Sequence, residues 1–215
     1  MNRRSDTHWV KRRFDRITPY YPWIERLLLV PQNARRRAVE GLQLGPGGHV
    51  LVVGCGQGPS LEALSKLVGP EGSVVGLDLS GKMLQRAQRI VEQKALSNVE
   101  LLQQNLFQHT PEEPVDAVFF EFSLSSFGDP HRGLKHTWSH LKVGGWMVVL
   151  DGQLPPKLRW LTRPLMPLIR WTLERTVLGD TDMRPIEALE QLGSEVHLEW
   201  FRRRTYFVAQ LLKSQ

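Results

Sequence analysis

Three glycines stand at alternate positions in the chain, directly after an apolar run with the length of a β-strand. They are Gly54, Gly56 and Gly58, and the apolar run covers residues 49–53. A tight glycine turn between a strand and a helix brings bare backbone N–H groups up to a ligand, which a Cβ would hold away. Asp78 ends the next apolar run, twenty residues past Gly58. Since a carboxylate there can accept both hydroxyls of a ribose, the spacing predicts an adenosine-containing cofactor.

Residues that could act on a second substrate lie in two other places. Tyr20 and Tyr21 fall in a proline-flanked break before the first strand, where a lid could fold over the cofactor and a tyrosine could orient an amine or a phenol. His131 and His136 follow the fourth predicted strand and could serve as a base for a hydroxyl acceptor. Packing aromatics and surface histidines are the alternative interpretations, and both stay open at this point.

The elements that must position these residues alternate along the chain. Near-continuous apolar runs predict five buried strands at residues 50–53, 74–77, 99–102, 117–120 and 146–150. Helical patterns occur between them at 60–67, after Ser80, and from about 133 to 141, the last ending at 143–145. This alternation predicts an α/β protein with a doubly wound, mostly parallel sheet. The runs 195–201 and 204–212 lie so close together that only a hairpin can join them, which adds an antiparallel strand.

The first part of the chain differs from the rest because it is helical in pattern and precedes the sheet. We therefore expect an N-terminal helical cap or lid over residues 1–44. Residues 45–215 then form the cofactor-binding domain, and the two parts make one structural domain.

The composition and charge of the chain indicate its expected cellular location. The 215 residues carry a net charge of +6, with arginine clusters near the N-terminus, at 35–37 and at 202–204. A segment at 158–178 sets leucines on one helical face and arginines on another, with tryptophans beside them, which is typical of contact with an anionic membrane surface. The chain shows no apolar run of about 20 residues and no secretory signal. Together with the single cysteine, Cys55, this predicts a cytoplasmic protein, peripheral at the inner face of the membrane where it meets lipid.

The motifs, in this order, resemble those of class I S-adenosylmethionine-dependent methyltransferases from about Gly48 to the C-terminus. The glycine turn is similar to the family's G-x-G-x-G, and Asp78 to its ribose-binding acid. Residues 116–120 are similar to its fourth strand, and 141–146 to the L-K-P-G-G entry to strand five, with Val143 in place of proline. The closing hairpin is similar to its reversed seventh strand. The resemblance therefore implies a seven-stranded, Rossmann-like sheet.

The resemblance also implies S-adenosylmethionine as the cofactor and a set of residues that bind it. These are Gly54, Cys55, Gly56, Gly58, Asp78, Leu79, Met83, Asn105, Leu106 and Glu121. Two positions depart from the family pattern. Val52 replaces an acid that helps to hold the amino group of the cofactor's methionine, and Asn105 replaces the Asp that contacts adenine. An amide can still accept a hydrogen bond from the adenine amino group, so the loss at Val52 is the harder one.

The expected activity is in-line methyl transfer to a small or lipid-like acceptor, which requires alignment and exclusion of water rather than a charged catalytic dyad. Within the family, the opening of the chain is similar to phosphatidylethanolamine N-methyltransferases and quinone C-methyltransferases. The alternatives are a non-catalytic binding protein with this fold, which Val52 supports, and an NAD-dependent oxidoreductase, whose last glycine would fall at Pro59. Nucleic acid is not the favoured partner, no metal ligands stand at a suitable spacing, and the oligomeric state stays open.

Overall fold

The computed structural model describes residues 7–28, 30–153 and 185–214, so the basic segment at 158–178 lies outside the described residues. The helices are α1 (Thr7–Ile17), α2 (Tyr21–Leu28), α3 (Gln32–Gly41), α4 (Leu61–Val68), α5 (Gly81–Gln93), α6 (Pro130–Ser139) and α7 (Pro185–Glu190). The strands are β1 (His49–Val53), β2 (Ser73–Asp78), β3 (Val99–Gln103), β4 (Val115–Glu121), β5 (Leu141–Gly152), β6 (Val196–Phe201) and β7 (Tyr206–Leu212). In these ranges, no helix is long and apolar enough to cross a bilayer.

The seven strands form one sheet in the order β3-β2-β1-β4-β5-β7-β6. Strands β1 to β5 pair in parallel, and β7 runs antiparallel to both β5 and β6. This arrangement confirms the predicted mostly parallel, Rossmann-like sheet with a C-terminal hairpin. The strand order reverses between β1 and β4, and ligands of open α/β sheets bind at the carboxyl ends of the strands at such a point.

Successive side chains of β1 and β4 point to opposite sides of the sheet, and both sides are buried because helices cover each face. Val52 and Phe119 face α3, α4 and α5, where Ala34 and Ala38 of α3 are fully buried. Val53 and Phe120 face the opposite layer, which contains α6 and α7. Helix α3 therefore packs in the main core although it belongs to the segment predicted as a cap.

One local feature was not predicted, and one predicted bound differs from the structure. The connection between β3 and β4 contains a 3₁₀ turn at Leu106–Gln108 and no α-helix, because only eleven residues separate the strands and two of them are prolines. Helix α6 ends at Ser139 rather than near Leu141, and residues 141–145 belong to β5. The pairing of β4 with β5 shifts there, and Gly144 has a φ of +82°, so these residues open the strand irregularly.

Candidate active site

Two glycines of the turn after β1, Gly54 and Gly56, meet different structural requirements. Gly54 has a φ of +70°, and a Cβ on it would lie 2.3 Å from the Cβ of Ser123, so packing alone demands a glycine. Gly56 has a φ of +56°, yet a Cβ on it would meet nothing within 4 Å. The space beside Gly56 is therefore open to a ligand, and this amide lies on the wall of a cavity.

Asp78 at the end of β2 joins this turn to the next helix. Its Oδ2 accepts a hydrogen bond from the Gly56 backbone N–H at 2.9 Å, and its Oδ1 accepts from the Ser80 N–H at 2.8 Å. Burial raises the pKa of Asp78 to about 6, although these amide hydrogen bonds oppose the rise. Ser80 caps α5 by accepting a hydrogen bond from the Met83 N–H at 3.2 Å.

A cavity of about 620 Å³ lies over the carboxyl ends of β1, β2 and β4. Helices α1 and α2, the first turns of α5 and α6, and the connections that follow β2, β3 and β4 supply the rest of its wall. Of the residues predicted to bind cofactor or act in catalysis, nine line this cavity: Tyr21, Gly54, Gly56, Asp78, Leu79, Met83, Asn105, Leu106 and Glu121.

Five of the predicted residues do not line the cavity: Tyr20, Cys55, Gly58, His131 and His136. Tyr20 is 65% exposed, and His131 is partly exposed on the first turn of α6. The Cys55 side chain is buried against Gly76, while Gly58 packs closely on Leu61. Their predicted roles in binding or catalysis stay predictions.

The side of the cavity predicted to take adenine is built around Asn105. Its Oδ1 accepts a hydrogen bond from the Phe107 N–H at 3.1 Å and so begins the 3₁₀ turn. A second lone pair of that oxygen remains for a ligand. Leu106 and Met83 beside it are 5% and 1% exposed, so they offer an apolar, rigid surface for a flat ring.

An ion cluster lies at the end of β4, and the sequence patterns did not identify it. Glu121 is 6% exposed, and its Oε1 accepts hydrogen bonds from the Arg35 Nε at 2.6 Å and from the Ser60 Oγ at 3.0 Å. The guanidinium of Arg35 also contacts Glu25 of α2. Burial raises the pKa of Glu121, while the charge of Arg35 opposes the rise.

The three consecutive arginines at 35–37 differ in burial: one is buried and two lie at the surface. Arg35 is 8% exposed, whereas the side chains of Arg36 and Arg37 are largely in solvent. The helical spacing of Arg35 with the buried Ala34 and Ala38 of α3 is the sequence signal that could have separated it from its neighbours.

Aromatic side chains form another part of the wall that sequence reasoning did not single out. Phe14 of α1, Phe107 and Phe127 line the cavity together with the guanidinium of Arg132. The Phe107 and Phe127 rings meet edge to face at 6.1 Å, and the Arg132 Cζ lies 4.3 Å from the centre of the Phe107 ring. His136 packs edge to face behind Phe107 at 5.6 Å, so it supports the wall instead of facing the cavity.

The fold and the glycine turn agree with a comparison against protein families. Residues 50–145 match the family described as methyltransferase domain. A crystal structure of a SAM-dependent methyltransferase from Aquifex aeolicus superposes with a TM-score of 0.60 at 22% identity, over 83% of this chain and 89% of that chain. The chain belongs to the class I S-adenosylmethionine-dependent methyltransferases, as its motifs indicated.

Two curated relatives indicate which kind of methyltransferase within that class this chain is similar to. A demethylmenaquinone methyltransferase of Lactobacillus johnsonii is 32% identical over 155 residues, which cover 68% of this chain and 64% of that protein. A demethylmenaquinone methyltransferase of Lactiplantibacillus plantarum is 29% identical over 171 residues, with 75% and 72% covered. The matched part of this chain therefore spans slightly less than two thirds of the first relative. These relatives give no support to an NAD-dependent oxidoreductase.

Alanine substitutions at Gly54 and Gly56 should lower the free energy of unfolding by different amounts. We expect Gly54→Ala to lower the free energy of unfolding by about 2–4 kcal/mol, because its Cβ would overlap a side chain fixed to the backbone. Gly56→Ala should cost only about 1 kcal/mol, the strain of a positive φ, since its methyl group enters open space. Urea unfolding monitored by circular dichroism measures both values. Equal losses in the two variants would contradict the packing described for Gly54.

Proposed function

We propose that this protein transfers a methyl group from S-adenosylmethionine to a small, lipophilic, quinone-like acceptor. The observation that carries the proposal is the meeting of the Gly56 amide and the Asp78 carboxylate at one cavity, where the strand order reverses. Bound S-adenosylmethionine supplies a methyl group already activated on a sulfonium. The protein then needs to align the acceptor with that group and to exclude water.

The residues of the cavity suit this cofactor. We assign the ribose hydroxyls to Asp78, which lines the cavity, and the open space beside Gly56 would admit the nucleoside close to the backbone. Leu79, Met83 and Leu106 offer apolar contacts for the adenine ring, and the amide of Asn105 offers a polar one. A cavity of about 620 Å³ leaves room for a second substrate next to the cofactor.

The acceptor side of the cavity favours a flat apolar ring. Phe14, Phe107 and Phe127 provide aromatic surface, and Arg132 provides a donor to a ring oxygen at its edge. The relatives are named for a demethylated menaquinone, which has this chemistry. Burial, followed by the charge of Glu25, raises the pKa of Tyr21 well above its ordinary value. We therefore assign Tyr21 the role of a hydrogen-bond donor that orients the acceptor, and not that of a base.

The N-terminal segment acts in this proposal as a cap over residues 45–215. Helix α1 contributes Val10 and Phe14 to the cavity wall, and Asp15 accepts a hydrogen bond from the Ser80 Oγ at 2.6 Å. This bond ties α1 to the start of α5, beside Asp78. Helices α1 and α2 would thus shield the reacting atoms from water.

A transfer assay tests the proposed activity. Radiolabelled S-adenosylmethionine and the reduced form of a short-chain demethylated naphthoquinone should give a labelled, organic-soluble product. We expect Asp78→Ala to lower the rate at least about tenfold, because the lost hydrogen bonds to a charged group are worth about 1.5–3 kcal/mol each. If the protein methylates phosphatidylethanolamine and not the quinol, the acceptor is a phospholipid and the quinone-like assignment is wrong. Cofactor binding without transfer to either would favour a non-catalytic protein.

The raised pKa of Asp78 predicts how cofactor binding depends on pH. Protonation of this carboxyl removes an acceptor that the ribose hydroxyls need, so affinity for S-adenosylhomocysteine should weaken as the pH falls through about 6. An ordinary Asp would lose its charge near pH 4 instead. Calorimetric titrations between pH 5 and 7.5 measure the effect. In Asp78→Asn the affinity should be about tenfold weaker and flat over this range. A pH dependence that persists in the variant would assign it to another group.

A surface patch on the cap is suited to an anionic membrane that holds a lipid-like acceptor. Tyr20 and Trp23 are 65% and 72% exposed, although Tyr21 between them lines the cavity. Arg16 and Arg26 are exposed on the same stretch of chain. Aromatic rings and arginines together favour the interface of anionic bilayers.

Vesicle binding tests this patch. The protein should sediment with vesicles rich in phosphatidylglycerol and not with phosphatidylcholine alone, and a tenfold rise in salt should release it. We expect the pair Tyr20→Ala and Trp23→Ala to lower retention severalfold. Val143→Ala is the matched control, since Val143 is 69% exposed at the other end of the strands. Equal retention of the aromatic variant and the control would exclude this patch as the contact.

A further inference from the structure

The carboxylate of Glu121 is held on one side only. Both hydrogen bonds that it accepts from the described chain, from Arg35 and from Ser60, end on Oε1. Glu121 is nearly buried and lines the cavity. Its Oε2 is therefore left for a donor that enters the cavity, because a buried carboxylate oxygen requires hydrogen bonds to offset the loss of water.

The charges around Glu121 do not balance. The Arg35 guanidinium contacts two carboxylates, those of Glu25 and Glu121, and it is the one cation recorded in an ion pair with either of them in the described part of the chain. Tyr21, the titratable group beside them, stays neutral because its pKa is raised. With both carboxylates ionised, the cluster carries one excess negative charge next to the cavity. A cationic group of a ligand would neutralise it and make a charge-assisted hydrogen bond.

The position of Glu121 in the sheet decides which part of a ligand it meets. Val52 of β1 pairs with Phe119 of β4, and Glu121 follows Phe119 by two residues, so its side chain lies on the same face. Glu121 thus supplies a carboxylate on the same face as Val52, but two residues nearer the carboxyl ends of the strands, where the cavity lies. Val52 itself is buried and apolar. Asp78 on β2 lies across β1 from it, at the wall proposed for the ribose.

We propose that Glu121 binds the α-ammonium group of the amino-acid arm of S-adenosylmethionine, with Arg35 and Ser60 as positioning residues. The inference rests on the proposed function, which supplies the cofactor. An acid on β4 then provides the contact that β1 cannot make through Val52. The ammonium N–H donates to Oε2, while Oε1 keeps its two existing hydrogen bonds.

Two ligands that share a nucleoside test this assignment. S-adenosylhomocysteine carries the amino-acid arm, and 5′-methylthioadenosine has the same adenosine and sulfur without it. We expect Glu121→Gln to weaken the first ligand about 10–100-fold, as for a lost hydrogen bond between charged groups, and the second less than about threefold. Gln keeps the size of the side chain and an oxygen for Arg35. Calorimetry gives both affinities, and equal losses for the two ligands, or no loss for either, would overturn the assignment.

Glu25→Gln is the matched control, because it removes a carboxylate that contacts the same guanidinium without lining the cavity. Its affinity for S-adenosylhomocysteine should change less than about threefold. A loss as large as that of Glu121→Gln would mean that the summed charge of the cluster acts and not a direct contact. Wild-type protein with a deaminated analogue of S-adenosylhomocysteine gives a measurement that needs no variant: unchanged affinity overturns the proposal. Failure of the wild type to bind any adenosine ligand would instead remove the proposed function itself.

Discussion

The hydrogen bond between the Gly56 amide and the Asp78 carboxylate joins the two strands on which the rest of the site depends. It fixes the turn after β1 against the end of β2, and the partner bond from the Ser80 amide fixes the start of α5 to the same carboxylate. One side chain thus sets the relative position of a turn, a strand end and a helix terminus. The space where a Cβ of Gly56 would lie is empty, so the arrangement stays open to a ligand in the cavity.

The sequence was most informative where a local pattern and the sheet geometry require the same residue. Alternate glycines after an apolar run, and an acid at the end of the next run, can be recognised without coordinates, and the structure brings Gly54, Gly56 and Asp78 to one cavity. The parallel strands and the closing hairpin were predictable for the same reason, since apolar run length and spacing alone determine them. The connection from β3 to β4 was less predictable, because a 3₁₀ turn leaves no helical period.

The parts that sequence reasoning missed depend on contacts between distant segments. Arg35 and Glu121 are 86 residues apart, and although the helical spacing of Arg35 with Ala34 and Ala38 indicates burial, it does not indicate Glu121 as the partner. Cys55 and Gly58 stand inside the glycine motif, yet the Cys55 side chain is buried against Gly76 and Gly58 packs on Leu61, which the motif alone does not reveal. The aromatic wall likewise combines α1 with the segments after β3 and β4, so no single stretch of sequence contains it.

The contact between Glu25 and Arg35 also has a mechanical consequence. Glu25 lies on α2, close to Tyr21, whereas Arg35 lies on α3, which packs against the sheet. The segment that carries Tyr21 cannot swing outward without parting opposite charges in surroundings that screen them poorly. The ion pair therefore ties the segment that carries Tyr21 to α3, and through α3 to the sheet.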